Sequence, residues 1–351
     1  MDLQSYFNHK NKLYHLLLEF IDDDSNDDEA FELLANQIDL QQFGQNRDEM
    51  TEFIRLLNKI SKNHFRKKSL FPKIEKIISY LQEYIKQTCS NYEIFEKFVN
   101  NWPIILFLFQ NKIVDVDEEI EKFISANYLY KQFFMPETET ENFERNRQIG
   151  ENDSDLCSLI REDSIKEFIV YVNQRNMSLL DDIPTSIFET NPFLIGREKT
   201  TLIEYAAFFG SIQIFQYLCI NNVPLTSSLW LFAIHGRSAE IINFLVENHV
   251  NPPNDSYEKC LEESIKCHHN EIANYIRDNF IKDEAEDVFN GNIIAYGYHY
   301  SNYEYIPTNL DSKFTLFYLC AYGYTNLVKH FMKTKKFDIN EKVVFNNQYF
   351  F

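Results

Sequence analysis

The stretch that decides the fold reads Glu204-Tyr205-Ala206-Ala207-Phe208-Phe209-Gly210, with apolar residues following at Phe215 and Leu218. Two small residues, a glycine, and apolar residues five and eight positions later are typical of two short helices joined by a tight corner. The alanines let the first helix lie close to a neighbour, and the glycine permits a left-handed backbone between the helices. One such pair cannot bury its own apolar face, so the pattern predicts several pairs stacked side by side.

The same pattern recurs in weaker form at four other places. Aligned on Gly210, the corner positions are Asp163, Gly210, Gly236, His268 and Gly323. Residues five positions later are Phe168, Phe215, Ile241, Ala273 and Val328, and residues eight positions later are Tyr171, Leu218, Phe244, Ile276 and Phe331. The intervals between corners are uneven but compatible with a period of about 33 residues, the ankyrin value. A polar insertion at 178–197 lengthens the first interval, and the last can hide a degenerate pair around 286–305.

Three segments of this region resemble a large ankyrin-repeat family expanded in certain protists, whose members carry a domain of unknown function beside ordinary ankyrin repeats. They are Leu202–Ser211, Ala233–Gly236 and Cys260–Asn270, while Cys320–Val328 is similar to a generic ankyrin repeat. The resemblance covers residues 150–340 well and the earlier residues more loosely. It implies a binding scaffold and names no partner.

The chain also departs from the pattern of that family. No repeat has the complete Thr-Pro-Leu-His opening, and Thr201-Leu202-Ile203-Glu204 comes nearest to it. Asp163 and His268 stand where the corner glycine belongs.

Residues 1–135 contain successive apolar stripes at helical spacing, such as Leu13, Leu16, Leu17 and Phe20, and predict an N-terminal helical region. Residues 136–155 turn polar and predict a linker, or a long loop within one continuous array. Residues 156–351 hold about five ankyrin-type repeats, some of them degenerate. The predicted fold class is therefore all-α, an α-solenoid of stacked helical hairpins preceded by an N-terminal helical region.

The composition disfavours several classes of partner and location. A formal net charge of -19 repels phosphate backbones, so we expect no nucleic-acid partner. The longest apolar run, 104–109, is far shorter than the ~20 residues that span a bilayer, and no signal peptide is visible at the start. Six cysteines scattered through helical patterns indicate reduced thiols. We therefore expect a cytoplasmic protein without a membrane partner.

One basic cluster stands against the acidic background. It comprises Lys59, Lys62, His64, Arg66, Lys67 and Lys68. A patch that contacts phosphate or lipid is one interpretation, and a solvated helix end is the other and favoured one. A tyrosine-rich run, Tyr296 to Tyr305, has two similar interpretations: a contact patch, or an extended insertion over a degenerate repeat, which we favour.

The sequence shows no recognisable catalytic motif. A Gly-rich phosphate loop, a Gly-x-Ser-x-Gly elbow and a His-Glu-x-x-His motif are all missing, so we predict a non-catalytic protein without a cofactor. Cys260, Cys267, His268 and His269 are the one set with the chemistry of metal ligands. The two adjacent histidines point in different directions on a helix, and no second ligand cluster has a matching spacing. Helix packing is therefore the favoured interpretation, and we predict no metal site.

The alignment also predicts a binding surface. First-helix positions five, two and one residues before a corner face the concave side of such an array. Read from the last four corners, with Cys267 and Ala321 also on this face, the predicted partner-binding residues are Tyr205, Phe208, Phe209, Leu231, Ile234, His235, Glu263, Lys266, Tyr318 and Tyr322. Many are apolar, which favours a helix or an extended peptide as the partner. The alternative is that the N-terminal helices fold back and cover this face.

The predicted function is a protein-interaction scaffold that binds through its concave surface. An adaptor is the alternative, in which the N-terminal helices recruit an enzyme complex while the repeats select the substrate.

Overall fold

The structure, a computed structural model, describes residues 3–25, 27–40, 46–281, 286–307 and 313–334. Within these ranges the chain forms 21 α-helices and no strand, and a single antiparallel bridge joins Asp182 and Thr201. The predicted all-α class is confirmed. None of the helices in these ranges combines the length and the apolar character that crossing a bilayer requires. The end of the predicted repeat region, 335–351, lies outside the described residues.

The chain divides into two compact units. Unit 1 combines residues 1–53 with residues 285–351, and unit 2 is the continuous stretch 54–284. The predicted division at 136–155 does not coincide with this boundary, because that segment lies inside unit 2. It contains a helix, Glu141–Ile149, which ends at the left-handed Gly150.

Unit 1 is built from the two ends of the described chain. Its helices are α1 Leu3–Asp22, α2 Asp27–Leu40, the beginning of α3 Arg47–Asn63, α19 Glu286–Tyr300, α20 Lys313–Ala321 and α21 Thr325–Thr334. Helix α1 packs against α2, α21 and a 3₁₀ turn at Tyr303–Tyr305. The buried Tyr14 hydroxyl donates a hydrogen bond of 2.7 Å to Asn302, and Lys10 is buried beside Glu49 and Glu52.

The tyrosine-rich run belongs to this core. Tyr298 lies on α19, and Tyr303 and Tyr305 lie on the 3₁₀ turn that follows it, all three buried. The predicted extended conformation is wrong, because the run is helical, and its buried members cannot form a contact patch. The backbone at Ser301 is left-handed, and Asn302 N–H bonds Gly297 O, so a helical corner does occur in the predicted degenerate region.

The first half of unit 2 is a bundle of short helices: the end of α3, α4 Leu70–Thr88, α5 Asn91–Phe98, α6 Trp102–Gln110, α7 Glu118–Ala126, α8 Tyr128–Phe134 and α9 Glu141–Ile149. Local signals define their starts. Ser90 and Glu93 form a capping box at α5, and Asp117 accepts two amide hydrogen bonds at α7. Trp102 packs against the rings of Tyr130 and Phe133 in an aromatic core.

The second half of unit 2 consists of four helical hairpins. These are α10 Asp155–Arg161 with α11 Ile165–Gln174, α13 Leu202–Phe209 with α14 Ile212–Ile220, α15 Leu229–His235 with α16 Ala239–Glu247, and α17 Glu258–Lys266 with α18 Asn270–Phe280. The first helices pack in the order α10, α13, α15, α17. A one-turn helix, α12 Pro192–Ile195, lies in the insertion between the first two hairpins.

All five corners have the same backbone. The amide after each left-handed residue bonds a carbonyl five residues earlier: Ser164 to Leu159, Ser211 to Ala206, Ser238 to Ala233, His269 to Ser264 and Tyr324 to Leu319. The left-handed residues themselves are Asp163, Gly210, Arg237, His268 and Gly323. Four of the five predicted corner positions are therefore confirmed.

The third corner is Arg237 rather than the predicted Gly236, whose φ is an ordinary -70°. Gly236 has a different reason to be glycine. A Cβ atom there would lie 2.3 Å from the carbonyl oxygen of Ala207 and 3.0 Å from that of Phe208. Gly236 lets two hairpins approach each other closely. It was predicted as the corner residue because the sequence pattern does not distinguish a glycine at a close contact from a glycine with positive φ.

Candidate functional site

The predicted partner-binding residues are mostly buried. Tyr205, Phe208, Leu231, Ile234, His235, Glu263 and Tyr318 are buried, and Phe209, Lys266 and Tyr322 are half-buried. Tyr318 and Tyr322 belong to unit 1 and the other eight residues to unit 2. The expectation that these side chains face solvent is thus wrong for seven of the ten, and in unit 2 neighbouring segments cover part of this face.

Helix α12 supplies one part of the cover. The ring of Phe193 lies 3.9 Å from the His235 ring and 5.8 Å from the Phe208 ring, measured between centroids. Arg197 in turn lies over the ring of Phe193. The insertion at 178–197, predicted only to lengthen the first interval, therefore covers Phe208 of α13 and His235 of α15.

The segment after α3 supplies the other part. His64 Nδ1 lies 2.9 Å from the carbonyl oxygen of Cys267 and donates to it. Phe65 N–H donates to His269 Nε2 at 3.2 Å, and His269 Nδ1 lies 2.8 Å from Ile234 O. This pattern requires a neutral His269 that donates through Nδ1 and accepts through Nε2. Burial, with the nearby His64 and Arg237 side chains, holds the pKa of His269 well below its usual range.

The basic cluster of the sequence is accordingly not a solvated helix end. His64 is buried, Arg66 is half-buried, and Lys68 alone among its last three cations is exposed. Part of the predicted covering by N-terminal residues is therefore present, over the corner that follows α17.

The metal-ligand set considered in the sequence is not assembled. Both ring nitrogens of His269 are used by backbone groups, so this side chain cannot bind a metal in the present arrangement. Of the four residues, Cys267 alone joins a group of ligand atoms, and its neighbours there are His235 and Glu263. We call these three residues the His235 cluster.

The His235 cluster is a buried hydrogen-bonded group. His235 Nε2 lies 2.7 Å from Glu263 Oε1, and Lys266 Nζ lies 2.8 Å from the same oxygen. Burial would raise the pKa of the Glu263 carboxyl, but His235 and Lys266 outweigh it and lower that pKa to about 2. Burial lowers the pKa of His235 against the opposing influence of Glu263. At neutral pH a neutral imidazole thus donates to an ionised Glu263, and Lys266 provides the compensating charge.

A thiol, an imidazole and a carboxylate in one cluster invite comparison with a nucleophilic triad. Cys267 Sγ lies 3.6 Å from His235 Nδ1 and 3.7 Å from Nε2, so it is in line with neither lone pair. Burial and the Glu263 charge raise the pKa of the Cys267 thiol well above its usual range. Both features oppose formation of a thiolate–imidazolium pair.

The face remains open at its other end, beside α10 and α13. A cleft of about 730 Å³ lies there, and we call it the Arg66–Arg161 cleft after the cations in its lining. Arg161 is bound to Glu151 at 2.8 Å, with Arg66 Nε 3.9 Å from the other oxygen of the same carboxylate. Arg66 also donates to Gly150 O at 3.0 Å, and Arg161 donates to the Tyr205 hydroxyl at 2.9 Å. Tyr205 thus anchors a cleft residue instead of facing solvent.

The walls and rim of the cleft combine apolar rings with charge. Phe71, Phe107 and Phe209 line it, together with Ile149, which is 50% exposed. The charged residues Lys67, Lys68, Glu75 and Glu162 also belong to its lining. Burial raises the pKa of Glu75 to about 7.

The spacing rule that places residues five, two and one positions before a corner on the concave face also identifies one wall of this cleft. Positions five, two and one residues before the first corner, Asp163, are Ser158, Arg161 and Glu162, and all three line the cleft together with Phe209. The predicted binding residues come from the last four corners, so those of the first corner were not among them. Nothing in the sequence indicated that residues 65–72 form the opposite wall.

No protein-family model, curated protein or solved structure matches this chain.

Proposed function

We propose that the chain is a non-catalytic interaction scaffold of ankyrin-type hairpins that binds a protein segment in the Arg66–Arg161 cleft. One observation carries the proposal: the face formed by the first helices is covered at His235 of α15 and at the corner after α17, whereas the cleft beside α10 and Phe209 remains open. The repeated corner geometry and the ordered packing of α10, α13, α15 and α17 support the ankyrin-type interpretation. A cytoplasmic location belongs to the same proposal and is supported by six free thiols.

The chemistry of the cleft favours one kind of segment. Phe71, Phe107 and Phe209 provide an apolar wall for an aromatic or aliphatic side chain. Arg66 and Arg161 already share Glu151, and the exposed Lys68 adds a positive charge at the rim of the cleft. In a chain of net charge -19, this rim is where an acidic partner can approach. The partner segment therefore carries an apolar residue flanked by acidic ones.

The test compares partner profiles of the full chain. Lys68→Glu combined with Ile149→Glu reverses the rim charge and makes the exposed apolar wall acidic. Ile220→Glu is the matched control, because Ile220 is 79% exposed on α14 and does not line the cleft. Affinity purification with quantitative mass spectrometry identifies partners, and titration with the recovered partner measures the dissociation constant.

We expect the cleft variant to weaken that binding at least about 10-fold, since it replaces two rim contacts. The control variant keeps wild-type affinity, and circular dichroism verifies that both variants fold. Identical partner profiles for the wild type and the cleft variant would refute the proposal.

An adaptor is the second candidate, and one observation favours it. Helix α8 exposes Tyr128 by 72% and the adjacent Leu129 by 45%, which offers a second contact surface. Residues 1–135 are not a compact unit, so the full chain has to be used. If the adaptor exists, Tyr128→Ser with Leu129→Ser removes a set of partners that the cleft variant retains. Loss of the same set in both variants contradicts it.

A further inference from the structure

The His235 cluster places three kinds of metal-binding atom together. Glu263 lies on α17 and Cys267 follows the last residue of that helix, four positions later. His235 is the last residue of α15, which packs against α17. The imidazole nitrogen, carboxylate oxygen and thiol sulfur all lie within 4.8 Å of one another, and all three residues are buried. Imidazole, thiolate and carboxylate are the ligands that zinc takes in proteins, whereas calcium and magnesium require oxygen ligands.

The distances between the three ligand atoms are close to those expected if the atoms bound one zinc ion. Zinc–ligand bonds of about 2.0–2.3 Å at tetrahedral angles place the ligand atoms about 3.3–3.6 Å from one another. Cys267 Sγ is already 3.7 Å from His235 Nε2. Glu263 Oε1 is nearer, at 2.7 Å from Nε2, because a proton joins these two atoms. An ion that replaces this proton would widen the gap, and rotation about the Cys267 Cα–Cβ bond would bring its sulfur in line.

The surroundings fit an ion of charge +2. The Phe193 ring, 3.9 Å from the His235 ring, fixes the imidazole, much as outer contacts orient metal-binding histidines. A Cys267 thiolate and the Glu263 carboxylate together neutralise a divalent ion. Lys266, which now binds Glu263, has Glu262 as a second carboxylate in its electrostatic environment. The Glu263 side chain is 11% exposed, so this ligand retains some contact with solvent.

We propose that His235, Glu263 and Cys267 bind one zinc ion, with a water molecule in the fourth position. Binding releases one proton, from the Cys267 thiol to solvent. The His235 proton moves from Nε2 to Nδ1 through solvent, and Nε2 becomes the ligand. This proposal is independent of the proposed scaffold function. It departs from the metal-free expectation of the sequence, because His235 stands far from Cys267 along the chain.

The test uses the purified, tag-free full chain after treatment with a chelator. Titration with Zn²⁺ is followed by calorimetry, and titration with Co²⁺ by absorption, because a thiolate ligand gives a charge-transfer band in the near ultraviolet. We expect one ion per chain, the thiolate band, and a higher unfolding temperature with zinc. Cys267→Ser abolishes the band and weakens zinc binding at least about 100-fold, since loss of even an outer contact costs 10–100-fold.

Cys260→Ser is the matched control, since Cys260 is a buried thiol on the same helix that lies outside the cluster. It retains the band and the wild-type affinity. If Cys267→Ser fails to fold, Glu263→Gln replaces it, because the amide keeps the shape of the carboxylate and its zinc affinity is expected to fall at least about 10-fold. The proposal is overturned by wild-type protein without the band or without stoichiometric zinc. It is equally overturned by loss of binding in Cys260→Ser, or by unchanged binding in Glu263→Gln.

Discussion

The corners at Gly210 and His268 have the same backbone but are stabilised by opposite means. Their φ values are 67° and 58°, and in both the following amide bonds a carbonyl five residues earlier. Near Gly210 the hairpins meet through backbone, with Gly236 against the carbonyl of Ala207. At His268 the neighbouring His269 connects two separate backbone segments through its imidazole. The contact near Gly210 forms because Gly236 has no side chain, whereas the contact at His268 depends on the hydrogen-bonded side chain of His269.

Gly236→Ala should break the backbone contact and have the largest effect. The added Cβ would lie 2.3 Å from a backbone oxygen, which cannot move without shifting α13. We expect a loss of about 3 kcal/mol or more in the free energy of unfolding, measured by urea denaturation. Gly291→Ala is the control, because a Cβ there meets nothing within 4 Å, and helix propensity predicts a gain of up to about 1 kcal/mol. Equal stability of the two variants would contradict the close approach.

His269→Leu should break the second contact while keeping most of the side-chain volume. It leaves Phe65 N–H without this acceptor, while Ile234 O keeps the hydrogen bond from the Arg237 amide, so the free energy of unfolding should fall by about 1–3 kcal/mol. Hydrogen exchange at the Phe65 amide should accelerate in the same variant. His249→Asn is the control, since His249 is exposed and asparagine tolerates its left-handed φ of 52°. Unchanged protection at Phe65 would show that the imidazole does not hold this segment.

Asp163→Ala extends the comparison to the first corner. The Asp163 carboxylate accepts the Gln213 and Ile214 amides at 3.0 and 2.9 Å and thereby caps α14 from the preceding hairpin. Removing it should cost about 1–2 kcal/mol in thermal or urea unfolding. Asp163→Asn keeps one acceptor oxygen and should lose less. If the two variants are equally stable, the cap contributes nothing.

Arg237→Gly should give the smallest effect and the opposite sign. A residue other than glycine at φ 47° is strained, and glycine relieves that strain by about 1 kcal/mol. The variant loses the Arg237–Glu271 ion pair, but this pair is largely exposed and worth about 0.5 kcal/mol at most. A small net rise in unfolding temperature is expected. A fall would mean that Arg237 makes a larger contribution than its exposure indicates.

Local pattern determined the helical class and the corners. Small residues, a left-handed turn and apolar positions at helical spacing act over about ten residues, so the sequence carried them directly and placed four of the five corners correctly. The third corner was missed by one residue. Glycine occurs both where φ is positive and where two backbones approach closely, and Gly236 lies at a close approach.

Only the tertiary structure decided which surfaces are open and which residues meet. Unit 1 joins α1 with α21, which lie far apart along the chain. The His64–Phe65 segment contacts the corner after α17 across some two hundred residues. The His235 cluster likewise unites two helices that no local spacing connects. Helix periodicity shows which face of a helix is apolar but not what packs against it. That choice depends on side chains far away along the chain, and for this reason residues predicted to face a partner proved to face their own fold.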